Sequence, residues 1–392
     1  MANKPKINAT AKGHEYFRVR ALVGYDCTGK HIYKNFYGSS KSDAEKMKND
    51  YLKDLQDGLN PDLTSQSLSQ AMHTWLWDIE KFSGIKSSSF ERYESIYRNY
   101  IKDSKLGLLV VSEIKKLPVQ KYYNSLIDTG KSESQVKNLH KLLNKFFKYA
   151  ETEGYILKNP LVGLKLPKDN EEDIEEDDCV VETFTNEEIN KIIENIGNVK
   201  LRYIILFALL TGCRQGEILA LQKSDIKDDI VKINKSVRKV KLFDDEKTYE
   251  HEMKVTKPKT KSSNREVPLT AKLKNELKRL EKLVAEEKLK LGPEYTNNNL
   301  LFPSITGTHI DAKNLRRSWE RALDNAGIPR KKFHALRHTY ATRLFENGTS
   351  ILTVSRLLGH SSTRTTEIYT HVLEDIKAKE VECLDKILKE GL

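Results

Sequence analysis

Five residues in the C-terminal half of this 392-residue chain could act together on a phosphodiester: Arg214, His334, Arg337, His360 and Tyr369. Arg214 follows Thr211-Gly212-Cys213 and precedes Gln215-Gly216-Glu217. It therefore sits at a glycine-flanked helix start, where backbone N–H groups and the helix dipole favour an anion. His334 and Arg337 are three apart in HALRHTYAT, a spacing that puts both on one helix face. His360 follows Gly359 in LLGHSS, and a polar segment from Ser361 to Thr366 leads on to Tyr369 and His371. The planar fork of arginine matches two non-bridging oxygens of a phosphate. A tyrosine hydroxyl facing two arginines and two histidines suits attack on phosphorus, with the arginines stabilising charge on the pentacovalent centre. No metal is required, because the arginines supply the charge that a divalent ion otherwise brings. The polar neighbours Thr365, Thr366, Glu367 and Thr370 predict an exposed Tyr369 on a movable segment.

Three of these residues, Arg214, His334 and Tyr369, have a plainer reading. His334 and His338 are four apart and could bind a metal from one helix face. Ala335 follows His334 where a zinc protease has glutamate, and no third ligand is near in sequence. Arg214 could be a surface arginine and Tyr369 a core tyrosine. The context Gly-Cys-Arg-Gln-Gly-Glu argues against the first reading, and the polar neighbours of Tyr369 argue against the second.

The rest of the chain must position these groups. Its length fits two or three domains. A net charge of +11 and a pI near 9.1 favour a polyanionic partner. The four cysteines are scattered without a CxxC pair, as in a reducing cytosol, and the N-terminus carries no apolar signal core. The longest apolar run, Ile204 to Leu210, is too short to span a bilayer, so a cytoplasmic protein without membrane contact is expected.

Composition predicts a multidomain α+β chain. Residues 1–61 read as a small module of a three-stranded sheet plus a helix. Its strands lie around Tyr16–Val23 and His31–Tyr37, and its helix is capped at Ser42. Arg18, Arg20, Lys30 and Lys34 are expected on one strand face, either laid on nucleic acid or merely solvated. Residues 66–167 read as an all-α, four-helix domain whose last helix puts Leu139, Leu142, Leu143, Phe146 and Phe147 on one stripe and ends at Asn159-Pro160. Residues 168–182 hold nine acidic residues against one lysine, an exposed linker that could also mimic a phosphate backbone and shield a basic surface. Residues 183–392 read as a mainly α domain with a small antiparallel sheet. It begins with a capping box at Thr185–Glu188 and ends in an amphipathic tail from 374 to 392.

The boxes TGCRQGEILAL (211–221), HALRHTYAT (334–342), LLGHSS (357–362) and the downstream Tyr369-Thr-His371 closely resemble the tyrosine recombinase family, the phage-type integrases. The resemblance is strong from 183 to about 371 and extends to the helical block, which looks like a core-type DNA-binding domain. The N-terminal module looks like the arm-type DNA-binding domain of phage and conjugative-transposon integrases. The resemblance implies that Arg214 and Arg337 hold the scissile phosphate and that Tyr369 forms a 3′-phosphotyrosyl link. It implies that His334 accepts or relays the tyrosine proton, that His360 hydrogen-bonds the phosphate, and that Glu217 orients Arg214 or its helix rather than reacting. It puts the general acid for the leaving 5′-oxygen in PKTKSSNREVPL, at Lys259, with Lys257 and Lys261 close by. His338 is expected to pack under the site. Further implications are double-stranded DNA with core-type and arm-type sites, a homo-tetramer with tail exchange, and an excisionase or host DNA-bending protein as accessory partner. No cofactor is implied. The rival readings are a type IB topoisomerase and a DNA-binding regulator that has lost catalysis.

Overall fold

A computed structural model of the chain describes residues 9–11, 14–25, 27–167, 181–257, 261–366 and 369. The fold is mixed α+β with small antiparallel sheets, and the chain divides into two compact units, Met1–Glu172 and Asp173–Leu392. Most of the acidic run, Lys259 and the tail from 374 onwards lie outside the described residues. Among the described residues no helix is long and apolar enough to cross a membrane.

In the first unit, β1 (Ala9–Ala11), β2 (His14–Tyr25) and β3 (His31–Gly38) form an antiparallel sheet in chain order. Cross-strand partners share a face. Arg18 pairs with Tyr37 and Arg20 with Asn35, whereas Lys34 pairs with the buried Ala21. Lys34 therefore stands with Phe36 on the face covered by α1 (Lys41–Gln56), its ammonium over the Tyr51 ring and ion-paired with Asp62. This corrects the expectation of one basic face: Arg18 and Arg20 share the open face, Lys30 sits in the turn, and Lys34 points the other way. The cap of α1 is Ser40 rather than Ser42. The Ser40 hydroxyl accepts from the Asp43 N–H, while the Asp43 carboxylate accepts from the Ser39 N–H, so a reciprocal pair closes two residues earlier.

The helical part of this unit comprises α2 (Pro61–Thr64), α3 (Leu68–Thr74) with a π-helical turn at Trp75–Ile79, α4 (Ser87–Tyr100), α5 (Lys116–Asp128) and α6 (Glu133–Thr152). The predicted stripe of α6 is fully buried, from Val136 through Leu139, Leu142, Leu143, Phe146 and Phe147 to Ala150. Burying each large apolar side chain contributes about 1.5–3 kcal/mol, which makes this helix the spine of the unit. It stops at Thr152, short of Asn159-Pro160, because the chain turns at Gly154 with φ +77.

The second unit runs α7 (Asn186–Glu194), α8 (Val199–Thr211), α9 (Gln215–Ile218), β4 (Ile226–Lys227), β5 (Ile230–Ile233), β6 (Ser236–Phe243), β7 (Tyr249–Thr256), β8 (Arg265–Pro268), α10 (Ala271–Leu291), α11 (Ala312–Asn325), α12 (Ala335–Glu346) and α13 (Ile351–Leu358). The Thr185–Glu188 capping box holds as read. Beyond its first turn, from Tyr203 to Leu210, helix α8 is apolar on every side, and it is packed by α10, α11 and α12, so it is the core of the unit. The expected single sheet is resolved into two. Strands β4, β5 and β8 form one sheet and β6–β7 a separate hairpin, split at Asn234-Lys235 between Ile233 and Ser236.

Candidate active site

The two arginines are brought together by glycine turns at the ends of α8 and α13. Gly212 ends α8 in the left-handed conformation at φ +63, and a Cβ there would stand 2.4 Å from the Tyr340 ring. Gly359 ends α13 likewise at φ +69, with no room for a Cβ beside Arg265 and the Ser262 carbonyl. Both turns aim backbone carbonyls at Arg337 on α12: Nη1 donates to Gly212 O and Nη2 to Leu358 O, each at 2.7 Å. Arg337 is 2% exposed, and among the described residues no carboxylate forms an ion pair with it. Burial, reinforced by Arg214 and Arg265, pulls its pKa down to about 9. A buried cation held only by carbonyls is poised to gain a negatively charged partner.

Arg214 occupies the N-cap of α9. Its backbone N–H donates to Glu217 Oε2 and its Nη1 to Glu217 Oε1, each at 2.9 Å. Its side chain stays 38% exposed, so the guanidinium is fixed on one edge and open to solvent. Glu217 is thus placed as expected, orienting Arg214. Burial works to raise the Glu217 pKa, but Arg265 and Arg214 outweigh it and hold the carboxyl below its ordinary value.

His334 caps α12, its ring edge-on to His338 at 4.9 Å. His360 follows Gly359. Its N–H donates to Ser355 O, and its Nδ1 shares a 2.8 Å hydrogen bond with the Thr366 hydroxyl. Both rings are pushed down to about 4, first by burial and then by neighbouring positive groups, so both are neutral at pH 7. In the tautomer in which the Thr366 hydroxyl donates to Nδ1, the proton of His360 sits on Nε2, which is then a donor for an anionic oxygen.

Tyr369 is where the structure departs most from the sequence reading. It is 1% exposed, packed among Ala341, Phe345, Val354 and Leu358 rather than presented to solvent. Its hydroxyl shares a 2.7 Å hydrogen bond with His338 Nδ1, and among the described residues none joins it to His334 or either arginine. Burial raises the phenol to about 12 against an opposing pull from Arg337. The polar tether is anchored as well: Thr366 is wholly buried, and Thr363–Thr365 form a 3-10 turn. His338 is therefore a partner of the tyrosine, not just packing beneath it.

The sequence reading also passed over Arg265. It lies on β8, buried at 8%, with Nη2 donating to Glu217 Oε2 at 2.9 Å and Nε to Leu357 O at 2.7 Å. A signal existed: in Arg265-Glu-Val-Pro-Leu269 the inward positions Val267 and Leu269 put Arg265 on the same buried face. Lys259 falls outside the described residues, but the chain re-enters at Lys261, and the Ser262 carbonyl lies against Gly359, next to His360. Among the described residues no three His, Cys, Asp or Glu side chains gather to hold a metal ion.

Comparison with known proteins follows the same lines. The phage integrase family model matches residues 182–375. A tyrosine recombinase XerC-like protein of Caldanaerobacter subterraneus subsp. tengcongensis is 42% identical over 97% of this chain and 99% of its own length. The integrase of Staphylococcus phage L54a is 26% identical over 85% of this chain and 98% of its own. Among solved structures, the Tn1549 transposon integrase in complex with transposon right end DNA superposes with a TM-score of 0.63, at 20% identity, over 82% of this chain and all of that one. The chain belongs to the phage integrase family, the tyrosine-type site-specific DNA recombinases.

Proposed function

We propose that this enzyme integrates a mobile element, a phage or a conjugative transposon, and excises it again, by strand exchange through a 3′-phosphotyrosyl intermediate. The observation that carries the reading is the buried Arg337, held by two carbonyls and paired with no carboxylate among the described residues, beside an Arg214 fixed by Glu217. A scissile phosphate supplies the missing anion. The Tyr369 oxygen attacks phosphorus, the bond to the 5′-oxygen breaks, and Lys259 gives that oxygen its proton. His334 takes part in moving the phenol proton, and Nε2 of His360 donates to a non-bridging oxygen. The 5′-hydroxyl of a second duplex then attacks the phosphotyrosyl bond and restores a phosphodiester. One P–O bond is exchanged for another at each step, so neither ATP nor a cofactor enters.

In this reading residues 1–61 bind arm-type DNA, with Arg18 and Arg20 on a face shared with Tyr33, Asn35 and Tyr37. Residues 66–167 bind core-type DNA, 183–392 carry catalysis, and four protomers act on two duplexes. The named relatives, a phage integrase and a transposon integrase solved with transposon end DNA, support a mobile-element role over a topoisomerase. The test incubates the purified protein with two duplexes bearing the junction sequences that flank its gene. Products with exchanged flanks are expected. Relaxation of supercoiled plasmid without any exchanged product would overturn recombination in favour of nicking and closing.

A further inference from the structure

We propose that Arg265 is the positioning residue that holds the phosphate cage in register, although it never touches the phosphate. The inference rests on the strand-exchange reading of the same site. Every guanidinium nitrogen of Arg265 is already engaged. Nε donates to Leu357 O, Nη2 to Glu217 Oε2 and, at 3.7 Å, to Cys213 Sγ, and Nη1 to Glu217 Oε1 at 3.3 Å and Ser263 O at 3.4 Å. With its side chain only 4% exposed, it has neither the free donors nor the access to take a substrate oxygen.

What it joins is the whole frame of the cage. Through Glu217 it sets Arg214, because the same carboxylate receives both the Arg214 N–H and its Nη1. Through Leu357 O it holds the last turn of α13, whose next carbonyl, Leu358, receives Arg337 and whose following residues are Gly359 and His360. Through Ser263 O it holds the backbone two residues before its own strand position. One buried fork thus ties together α9, α13 and β8, and these segments bring Arg214 and His360 to one place.

Charge sharing works in the same direction. Glu217 is the carboxylate that both Arg214 and Arg265 pair with. While Arg265 takes half of that charge, Arg214 keeps an open edge for phosphate. Without Arg265 the carboxylate turns wholly to Arg214, and the carbonyl at Leu357 loses its donor.

The test compares Arg265→Met with the wild-type protein on a nicked core-site duplex under single-turnover conditions. Misplacement of a reacting group by about 1 Å is enough to cost about 10²-fold. We expect cleavage to fall by about that factor while core-site affinity stays within a few-fold, since phosphate contacts spread over the whole interface dominate binding. Methylguanidinium added to Arg265→Ala should return at least tenfold of the lost rate and leave the wild-type rate unchanged, a rescue that a general loss of packing would not show. If Arg265→Met fails to fold, Arg265→Lys keeps a positive charge beside Glu217 but cannot make all the bonds of the fork, and it is read in the same assay with a loss of the same direction expected. A folded variant that cleaves within threefold of wild type, or a loss that methylguanidinium does not restore, overturns the assignment. Wild-type protein that forms no adduct would instead overturn the strand-exchange reading itself.

Discussion

Arg337→Met is expected to lower single-turnover cleavage of a core site by about 10²–10³-fold, the usual cost of removing one donor from a charge-stabilising site. The side chain it removes is 2% exposed and spends two donors on the carbonyls of Gly212 and Leu358, so its position is fixed before DNA arrives. The same geometry has a consequence that can be read without DNA. Burial and the neighbouring arginines hold Arg337 near 9 in the folded protein, far below the unfolded chain. That depression measures how strongly the site disfavours an unpaired cation, a cost that a bound anion relieves. Inorganic phosphate, by binding the folded state, should raise the wild-type Tm and leave that of the variant nearly unmoved. Equal stabilisation of both proteins by phosphate would mean that Arg337 is not the anion's partner.

The second large effect concerns Tyr369. In His338→Leu the Tyr369 hydroxyl loses its 2.7 Å partner in a site that is 1% exposed. Leaving a buried hydroxyl unsatisfied costs about 1–3 kcal/mol, equivalent to roughly a 10–100-fold gain in the fraction of molecules with the tyrosine released. Nitration by tetranitromethane, mapped by peptide mass without DNA, measures this directly, because the reagent attacks accessible phenolate. Tyr25, 62% exposed, is the internal reference. Wild-type Tyr369 should be strongly protected relative to Tyr25, and the variant should lose most of that protection. If Tyr369 is nitrated as fast as Tyr25 in the wild type, the buried resting position is wrong.

Much of this site was legible before any coordinates. The boxes around Arg214, His334, Arg337 and His360 state their own neighbours, since each arises within one turn or helix start, and the Glu217 contact to Arg214 is only three residues long. The α6 stripe and the Thr185 cap follow from periodicity in the same way. What escaped was set by long-range packing. Polar neighbours predicted an exposed Tyr369, but its burial is decided by Phe345, Val354 and Leu358, which come from other helices. Charge alone groups Lys34 with Arg18 and Arg20, while the strand register, which sets Lys34 opposite Ala21, decides its face. Arg265 escaped because a basic residue on a short strand reads as solvated unless the inward alternation of Val267 and Leu269 is weighed.

In the proposed reaction Tyr369 becomes covalently joined to DNA at a phosphate held by Arg214 and Arg337. A core-site duplex nicked so that the short 3′ fragment diffuses away should trap the protein on the DNA. Digestion followed by peptide mass analysis should place the nucleotide on Tyr369, joined through a 3′-phosphate and with a free 5′-hydroxyl opposite, and Tyr369→Phe should yield no adduct. An adduct on any other residue, an adduct that persists in Tyr369→Phe, or a 5′-phosphate linkage would contradict the account.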